Sequence, residues 1–366
     1  MNPLPTARLF GGKVDAWWYK NNGFDVEFWD LAPLFWPKEN LDQYYGGCDN
    51  YRYIGPSHQV FTKAENVLSA MRGLTKNMVV WNLRGFYGKK DVWIFDELQR
   101  KGIPYYLQRF DTSIELHNPY KWLIEFLRIG KQSFFNRRMK PKGVIGSGRR
   151  GRSYALRFFP NARFISIPSV KVLWQNSEPV PEVEVPYNLF VDENIDYAPD
   201  AKLLGYDVCL DPDSYYCRLN QLFDDIEDWS GRPVVIAVSG KFQYQRDRFN
   251  GRRLIYGRTL PLIQNSSYVI GHMSLALDQC LVSKKPFLRI DAPEFTKKKR
   301  EGFPYSLLSL IRQPILMTKV TKAVYLQSLS LNADMMKEII FDYLREDGAT
   351  EDYHLILAEE FLGQKN

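Results

Sequence analysis

The sequence predicts an α/β protein made of two domains that face a cleft, followed by helices at the C-terminal end. Short apolar runs alternate with amphipathic segments over most of the chain, which is typical of parallel βα units. The length of 366 residues exceeds what one ordinary hydrophobic core accommodates. A stretch with Pro168, Pro179, Pro181 and Pro186 interrupts the alternation and is the best linker candidate. We therefore expect two Rossmann-like domains.

The first predicted domain covers residues 1–180 and consists of βα units. Its predicted elements are a helix over 14–21, strands over 25–30 and 78–82, a helix over 91–101, and strands over 103–107, 143–146 and 162–167.

The second predicted domain covers residues 181–331. The segment 233–238 is its strongest strand signal, because it carries no charge and is mostly β-branched. The other predicted elements are a strand over 188–192, a helix over 214–229, a helix from 259, a strand over 268–270, a helix from about 273 and a strand over 286–290. Residues 332–366 are predicted to form C-terminal helices, and packing back on the first domain is left open.

Composition excludes several classes of protein. No segment approaches the roughly 20 consecutive apolar residues that a membrane-spanning helix needs, and the first residues do not resemble a signal peptide. The four cysteines form no CxxC and the four histidines form no HExxH, which argues against a disulfide scaffold and a zinc centre. We expect a cytoplasmic protein, with the inner face of the membrane left open as a place of contact.

The net charge of +7 suggests an anionic partner. Eight basic residues and no acid lie between Lys131 and Arg152, beside Phe134 and Phe135. This run could contact an anionic membrane or nucleic acid, but a solvated basic surface is the favoured interpretation. Its end, 146–152, is rich in Gly and Arg without the spacing of a phosphate loop, and we expect a basic loop at the edge of the cleft.

Ser239, Gly240 and Lys241 are candidate phosphate-binding residues. They directly follow the apolar strand over 233–238, and ligands bind at the carboxyl ends of strands in open α/β sheets. A hydroxyl, an amide and an ammonium group can neutralise a phosphate. An ordinary βα turn is the alternative.

His272 and Ser274 form a second candidate site. They follow a predicted strand and Gly271 and precede a predicted helix, an order that aims a helix N-terminus at the edge of the sheet and favours an anion. The alternative is that one of them only caps the helix. Thr259 is expected to be the N-cap of the predicted helix that begins there, which would leave Arg258 able to reach a ligand.

Two groups of acidic residues are further candidates. Asp211 and Asp213 have the form of a DxD pair that chelates Mn²⁺ or Mg²⁺, although N-capping of the helix that follows is the favoured interpretation. Asp111, Glu115 and His117 follow the predicted strand over 103–107 and could take a proton from an attacking hydroxyl; surface solvation or helix capping is the alternative.

Three segments resemble bacterial surface-polysaccharide biosynthesis glycosyltransferases of the capsule or O-antigen type, which have the GT-B architecture. Residues 23–33 resemble their early G-x-x-V-x-x-x-D-L strand, and 189–200 are similar to their F-L-D-x-x-x-P-x-H-P-D stretch. Residues 257–286 are similar to their G-x-T to V-I-x-H-x-S segment, and His272 and Ser274 match its His and Ser. The chain departs from the family where Ser239-Gly240-Lys241 stands for the usual His-Pro-Lys.

The resemblance implies transfer of a sugar from a nucleotide-sugar donor, held mainly by the C-terminal domain, to a surface glycan or lipid-linked acceptor. It implies no obligatory metal and no other cofactor. The donor is left open between a CMP-linked acidic sugar and a UDP- or GDP-linked sugar. Two alternatives stay open: a metal-dependent transferase that uses Asp211 and Asp213, and a catalytically degenerate protein that binds polyanions. No dedicated nucleic-acid-binding module is present in the sequence.

Overall fold

The computed structural model describes residues 16–39, 41, 57–83, 92–108, 138–169, 172, 183, 186–195, 201, 206–239, 243–301, 306–346, 349 and 352–363. The chain divides into two compact units. Unit 1 comprises Met1–Leu41, Tyr51–Val170 and Phe341–Asn366, and unit 2 comprises Asp42–Asn50 and Lys171–Ile340. The chain thus leaves unit 1 after Val170 and returns to it at Phe341.

The strands and helices follow the predicted alternation. The strands are β1 Phe28–Asp30, β2 His58–Val60, β3 Val80–Asn82, β4 Tyr105–Gln108, β5 Gly143–Gly146, β6 Arg163–Ser166, β7 Asn188–Val191, β8 Val234–Val238, β9 Leu254–Tyr256, β10 Tyr268–Gly271, β11 Phe287–Asp291 and β12 Ile315–Leu316. The α-helices are α1 Ala16–Asn21, α2 Ala64–Arg72, α3 Val92–Lys101, α4 Gly148–Phe158, α5 Pro212–Ser230, α6 Thr259–Asn265, α7 Gln279–Val282, α8 Lys297–Arg300, α9 Lys322–Ser328, α10 Ala333–Ile339 and α11 Tyr353–Leu362.

Unit 1 contains a parallel sheet in the order β3-β4-β5-β6, and β1 pairs with β2 in a separate parallel sheet. Its core is apolar on the side of helices α2 and α3, where Met71, Leu98 and Tyr105 are buried together. Helix α11 covers this unit with Phe361, whose ring centroid lies 5.0 Å from that of Tyr106. Tyr106 and Phe361 are not members of that cluster, and Tyr106 points to the opposite face of the sheet from Tyr105, so the C-terminal helix packs on this second face.

The Gly- and Arg-rich segment 146–152 is not a loop, contrary to the sequence-based expectation. It runs from the end of β5 into the first turn of α4, and Gly148 has a φ of +67°. Arg149 Nη2 lies 2.6 Å from Asp342 Oδ1, and Arg152 donates to both carboxylate oxygens of Glu346 at 2.9 and 2.7 Å. These arginines hold the returning C-terminal segment, while the earlier part of the basic run, 131–137, lies outside the described residues.

Unit 2 contains a six-stranded parallel sheet in the order β12-β11-β10-β7-β8-β9. Read from β9 and numbered along the chain, this is the order 3-2-1-4-5-6 of a doubly wound Rossmann sheet. The central strands β7, β8 and β10 are buried along their whole length, which explains their continuous apolar sequence. The predicted α/β class with Rossmann-like parallel sheets is confirmed.

Two predicted features differ in detail. The predicted helix from about 273 is a four-residue 3₁₀ segment, Leu275–Asp278, followed by the short helix α7. The predicted boundary near 180 compares with a change of unit after Val170, and the assignment of acceptor and donor roles to the two domains stays a prediction. Among the helices that the structure describes, none combines the length and the apolar character needed to cross a membrane.

Candidate functional site

The strand order of unit 2 reverses between β7 and β10, so a crevice opens at the carboxyl ends of these two strands. Asp192 follows β7 directly, and His272 follows β10 directly. The neighbouring strand β8 ends at Val238, and the Asp192 amide donates to the Ala237 carbonyl at 3.1 Å. This edge of the sheet is where a doubly wound fold binds its ligand.

Asp192 is the first polar residue at this edge, and its side chain is only 5% exposed. The Tyr244 hydroxyl donates to Asp192 Oδ2 at 2.7 Å, and the Tyr216 hydroxyl lies 3.0 Å from that of Tyr244. Burial raises the pKa of Asp192 to about 7, although the hydrogen bond from Tyr244 acts in the opposite sense. A carboxyl group that titrates near neutrality is typical of functional sites.

Glu193 follows Asp192 and is ionised. Its Oε1 accepts from the Met273 amide at 2.6 Å, and its Oε2 pairs with the buried ammonium group of Lys299. Burial alone would raise the pKa of Glu193, but the charge of Lys299 and the hydrogen bonds outweigh burial and hold this pKa below its usual value. Glu193 thus ties the residues after β7 to those after β10.

His272 is 0% exposed, and both of its ring nitrogens have partners inside unit 2. Nδ1 lies 2.8 Å from the Ile290 carbonyl and therefore carries the proton, while Nε2 accepts from the Tyr215 hydroxyl at 2.8 Å. Burial lowers the pKa of His272 to about 4, so the ring is neutral at pH 7. The structure therefore corrects the prediction of a direct phosphate donor: this imidazole connects β10 to α5 and β11.

Ser274 caps the helical segment that follows it, which was the alternative to anion binding in the sequence analysis. Its Oγ accepts from the Ala276 amide at 3.3 Å at the start of the 3₁₀ segment. Gly271 packs closely against this turn, since a Cβ atom there would lie 2.9 Å from side-chain carbons of Leu277. In place of the predicted helix from about 273, the 3₁₀ segment Leu275–Asp278 and the short helix α7, Gln279–Val282, follow Ser274.

The remaining predicted phosphate ligands lie along the same edge or outside the described residues. Ser239 follows β8 and is half-buried, whereas Gly240 and Lys241 are outside the described residues. Arg258, not Thr259, occupies the N-cap position of α6, and its side chain makes no capping hydrogen bond. Thr259 is the first helical residue, so the expectation that it caps α6 was wrong.

Asp211 and Asp213 are engaged in structural contacts. Asp211 caps α5, accepting from the Ser214 amide at 3.1 Å and from its hydroxyl at 2.7 Å. Asp213 lies 2.8 Å from Arg246 Nη2 and also pairs with Arg248. The capping interpretation is confirmed for Asp211, and both carboxylates have partners other than a metal.

Sequence reasoning missed Asp192, Glu193 and Lys299, which the fold brings to the crevice. The signal for the first two was the one used for Ser239, a polar pair directly after a buried apolar strand. Lys299 carried no local signal, because it lies far along the chain in α8. Asp111, Glu115 and His117 lie outside the described residues and stay predictions. Within the described part of the chain, no three His, Cys, Asp or Glu side chains are grouped as a metal site.

Comparison with known proteins gives structural similarities only. No model of a protein family matches the chain, and no curated protein is similar to it in sequence. Among solved structures, a UDP-N-acetylglucosamine 2-epimerase is similar with a TM-score of 0.49 and 11% identity, covering 100% of this chain and 98% of that one.

Two further solved structures are similar over most of the chain. The wall teichoic acid polymerase TagF has a TM-score of 0.43 and 12% identity, covering 89% of this chain and 84% of its own. MurG of Acinetobacter baumannii has a TM-score of 0.43 and 12% identity, covering 96% of each chain. These TM-scores and identities are too low to support an argument. The fold assignment rests on the strand order of unit 2 described above.

Proposed function

We propose that this protein is a glycosyltransferase that moves a sugar from a nucleotide-sugar donor to a bacterial surface glycan or lipid-linked acceptor. The observation that carries the proposal is the 3-2-1-4-5-6 sheet of unit 2, whose reversal point is lined by buried polar side chains. Doubly wound sheets bind nucleotides at this point. The resemblance of residues 257–286 to surface-polysaccharide glycosyltransferases supports the choice of a nucleotide-sugar.

The predicted site residues other than Thr259 have a place in this proposal. The phosphates lie at the end of β8, where Ser239, Gly240 and Lys241 donate, and Arg258 contributes from the N-cap position of α6. Leaving-group charge is stabilised by these donors without an obligatory metal. The base that accepts the proton of the attacking hydroxyl is Asp111, Glu115 or His117. His272 and Ser274 hold the backbone after β10 in position.

The proposed localisation is cytoplasmic. The basic run that begins at Lys131 is proposed to contact an anionic membrane peripherally. Five of the eight basic residues in this run precede α4, and those in α4 are partly engaged in ion pairs with Asp342 and Glu346. Contact with a membrane therefore depends on the basic residues before α4.

A thermal-shift screen of the full chain tests the proposed function. CMP, CDP, UDP, GDP and ADP are compared, each with EDTA and with Mn²⁺. A ligand that binds only the folded state stabilises it by about 2.7 kcal/mol at 100 times its dissociation constant. We expect one nucleotide to raise the melting temperature equally in EDTA and in Mn²⁺.

Variants locate the binding site. Lys241→Ala and Ser239→Ala are expected to reduce the shift, because each removes a donor to phosphate. Lys297→Ala removes an exposed lysine of α8 in the same unit and should leave the shift unchanged. Absence of a shift for all five nucleotides would refute the proposal, and a shift that requires Mn²⁺ would favour the metal-dependent alternative.

A further inference from the structure

Two buried acceptor oxygens at the carboxyl end of β7 lack a well-aligned hydrogen-bond donor. Asp192 is 5% exposed and Asn194 is 3% exposed, and Oδ1 of each side chain has no hydrogen-bond partner among the described residues. Leaving a buried acceptor unsatisfied costs about 1–3 kcal/mol. Two such atoms, two residues apart at the reversal point of the sheet, indicate a position where a ligand supplies the missing donors.

The surroundings hold both groups in place. Tyr244 donates to Oδ2 of Asp192, and Tyr216 contacts the Tyr244 hydroxyl. The backbone N–H groups of Glu193 and Asn194 also act on the Asp192 carboxyl group and lower its pKa, but neither makes a hydrogen bond of good geometry to Oδ1. Asn194 has a φ of +51°, a left-handed conformation that asparagine adopts more readily than most residues. The left-handed backbone conformation therefore fixes the position of the Asn194 side-chain amide.

The charges at this position favour a neutral hydroxyl group over an anionic group, and a hydroxyl group can donate the missing hydrogen bond. Asp192 and Glu193 are adjacent carboxyl groups. The buried cation Lys299 is already paired with Glu193, and the buried Arg289 donates to the His272 and Arg312 carbonyls. Above pH 7, where Asp192 is ionised, a phosphate or a sugar carboxylate placed against its Oδ1 would be repelled, because like charges in a buried site destabilise each other. A neutral hydroxyl group donates without this penalty.

We propose that Asp192 and Asn194 form the subsite that accepts hydrogen bonds from hydroxyl groups of the transferred sugar, and that this sugar is uncharged. This inference rests on the proposed function and deepens it: the donor is a nucleotide-linked neutral sugar, and the acidic-sugar donor is disfavoured. The nucleotide contacts the end of β8, whereas the glycosyl group contacts the end of β7.

Isothermal titration at pH 8 tests the subsite by comparing each nucleotide with its sugar derivative. The pairs are UDP with UDP-glucose, GDP with GDP-mannose, and CMP with CMP-N-acetylneuraminic acid. We expect a neutral nucleotide-sugar to bind about tenfold or more tightly than its own nucleotide, since two hydrogen bonds are added, one of them to a charged group. The acidic sugar should add no affinity.

Asn194→Gly removes the amide and keeps the left-handed backbone, and Asp192→Asn removes the charge at constant shape. Each is expected to reduce the gain from the sugar by about fivefold or more and to leave the affinity for the nucleotide unchanged. Asn250→Gly is the matched control, because Asn250 has a φ of +50° but an exposed side chain.

The outcomes separate the two proposals. If nucleotides bind but the sugar adds nothing, or if the variants weaken nucleotide and nucleotide-sugar alike, the subsite is refuted and the nucleotide site stands. An equal gain from the acidic sugar also refutes the inference. If neither nucleotides nor their sugar derivatives bind, both proposals fail.

Discussion

Asp192 and His272 occupy equivalent positions, each the first residue after a central strand of unit 2. Burial favours the neutral form of both groups, which raises the pKa of Asp192 and lowers the pKa of His272. Their effects on stability therefore have opposite signs. Between pH 4 and 7, folded Asp192 keeps a proton that the unfolded chain has lost, whereas folded His272 lacks a proton that the unfolded chain has gained below pH 6.5.

Asp192→Asn should therefore stabilise unit 2 in a pH-dependent way. The contribution of Asp192 to stability falls as pH rises from about 4 to 7, because the folded state then buries a charge. The variant removes this cost, so we expect the free energy of unfolding at pH 8 to rise by up to about 4 kcal/mol, from a pKa shift of about three units. At pH 4 little change is expected.

Hydrogen exchange of peptides from β7 and β8, followed in urea at pH 4, 6 and 8, measures this effect in unit 2. Below pH 6.5 the variant should lack the contribution of Asp192 and keep that of His272, so it should lose more stability with acid than the wild type does. Asp228→Asn, which changes an exposed carboxylate of α5, is the control. Identical pH profiles for Asp192→Asn and the wild type would contradict the assignment of a buried, neutral-range carboxyl group.

Binding of the neutral sugar should release protons near pH 7. A hydroxyl donor favours the ionised form of Asp192, so its pKa falls when the ligand binds. Affinity for UDP-glucose or GDP-mannose should then decrease as pH is lowered from 8 to 6, and Asp192→Asn should abolish this dependence. Titrations in buffers with different ionisation enthalpies measure the number of protons; no release in the wild type would contradict the contact.

At the scale of elements, the start of α4 depends on one glycine. Gly148 has a φ of +67°, and a Cβ atom there would overlap the backbone of Asp342 and Tyr343. Its neighbours Arg149 and Arg150 contact the Asp342 carboxylate. The close approach of α4 to the π-helical segment Ile340–Leu344 therefore requires the absence of a side chain at this position.

Gly148→Ala should destabilise unit 1 more than Gly23→Ala. Gly23 has a φ of +86°, and a Cβ atom added there would have no heavy atom within 4 Å. Left-handed strain alone costs about 1–2 kcal/mol, whereas overlap with backbone adds about 1–3 kcal/mol. Hydrogen exchange of α4 peptides measures the difference, and equal losses in the two variants would show that the close approach is unimportant.

At the scale of the whole molecule, unit 1 is built from distant parts of the chain. Residues from Phe341 onward supply Asp342 and Glu346 to the arginines of α4, and Glu360 accepts from the Tyr106 hydroxyl at 2.9 Å. Unit 2 holds its six-stranded sheet within the single stretch from Lys171 to Ile340. The two units should therefore differ in their tolerance of cleavage.

A fragment of residues 171–340 is expected to unfold cooperatively on its own and to keep the nucleotide-dependent thermal shift. A fragment of residues 1–170 should lack a cooperative transition, because it has lost the contacts made by α11. Circular dichroism during thermal unfolding measures both. A cooperative 1–170 fragment would show that the C-terminal segment is dispensable for unit 1.

Much of the fold could be predicted because the relevant signals are local. Strand β5 and the start of α6 match the predicted bounds, and the charge-free segment 233–238 becomes the buried strand β8. The 3₁₀ segment Leu275–Asp278 and the short helix α7 were predicted as one helix from about 273, since periodicity does not distinguish a 3₁₀ turn from an α-helical turn. The Gly- and Arg-rich segment was predicted as a loop, since its partners Asp342 and Glu346 lie almost 200 residues away.

The sequence by itself determined the α/β class and the alternation of elements, because periodicity, turn glycines and prolines act over a few residues. Only the tertiary structure decided which polar residues meet at the reversal point of the sheet. His272 satisfies both ring nitrogens with groups from α5 and β11, and Lys299 reaches Glu193 from a different element. Burial and hydrogen-bond pairing depend on residues that are distant in the chain, so no local pattern could assign those roles.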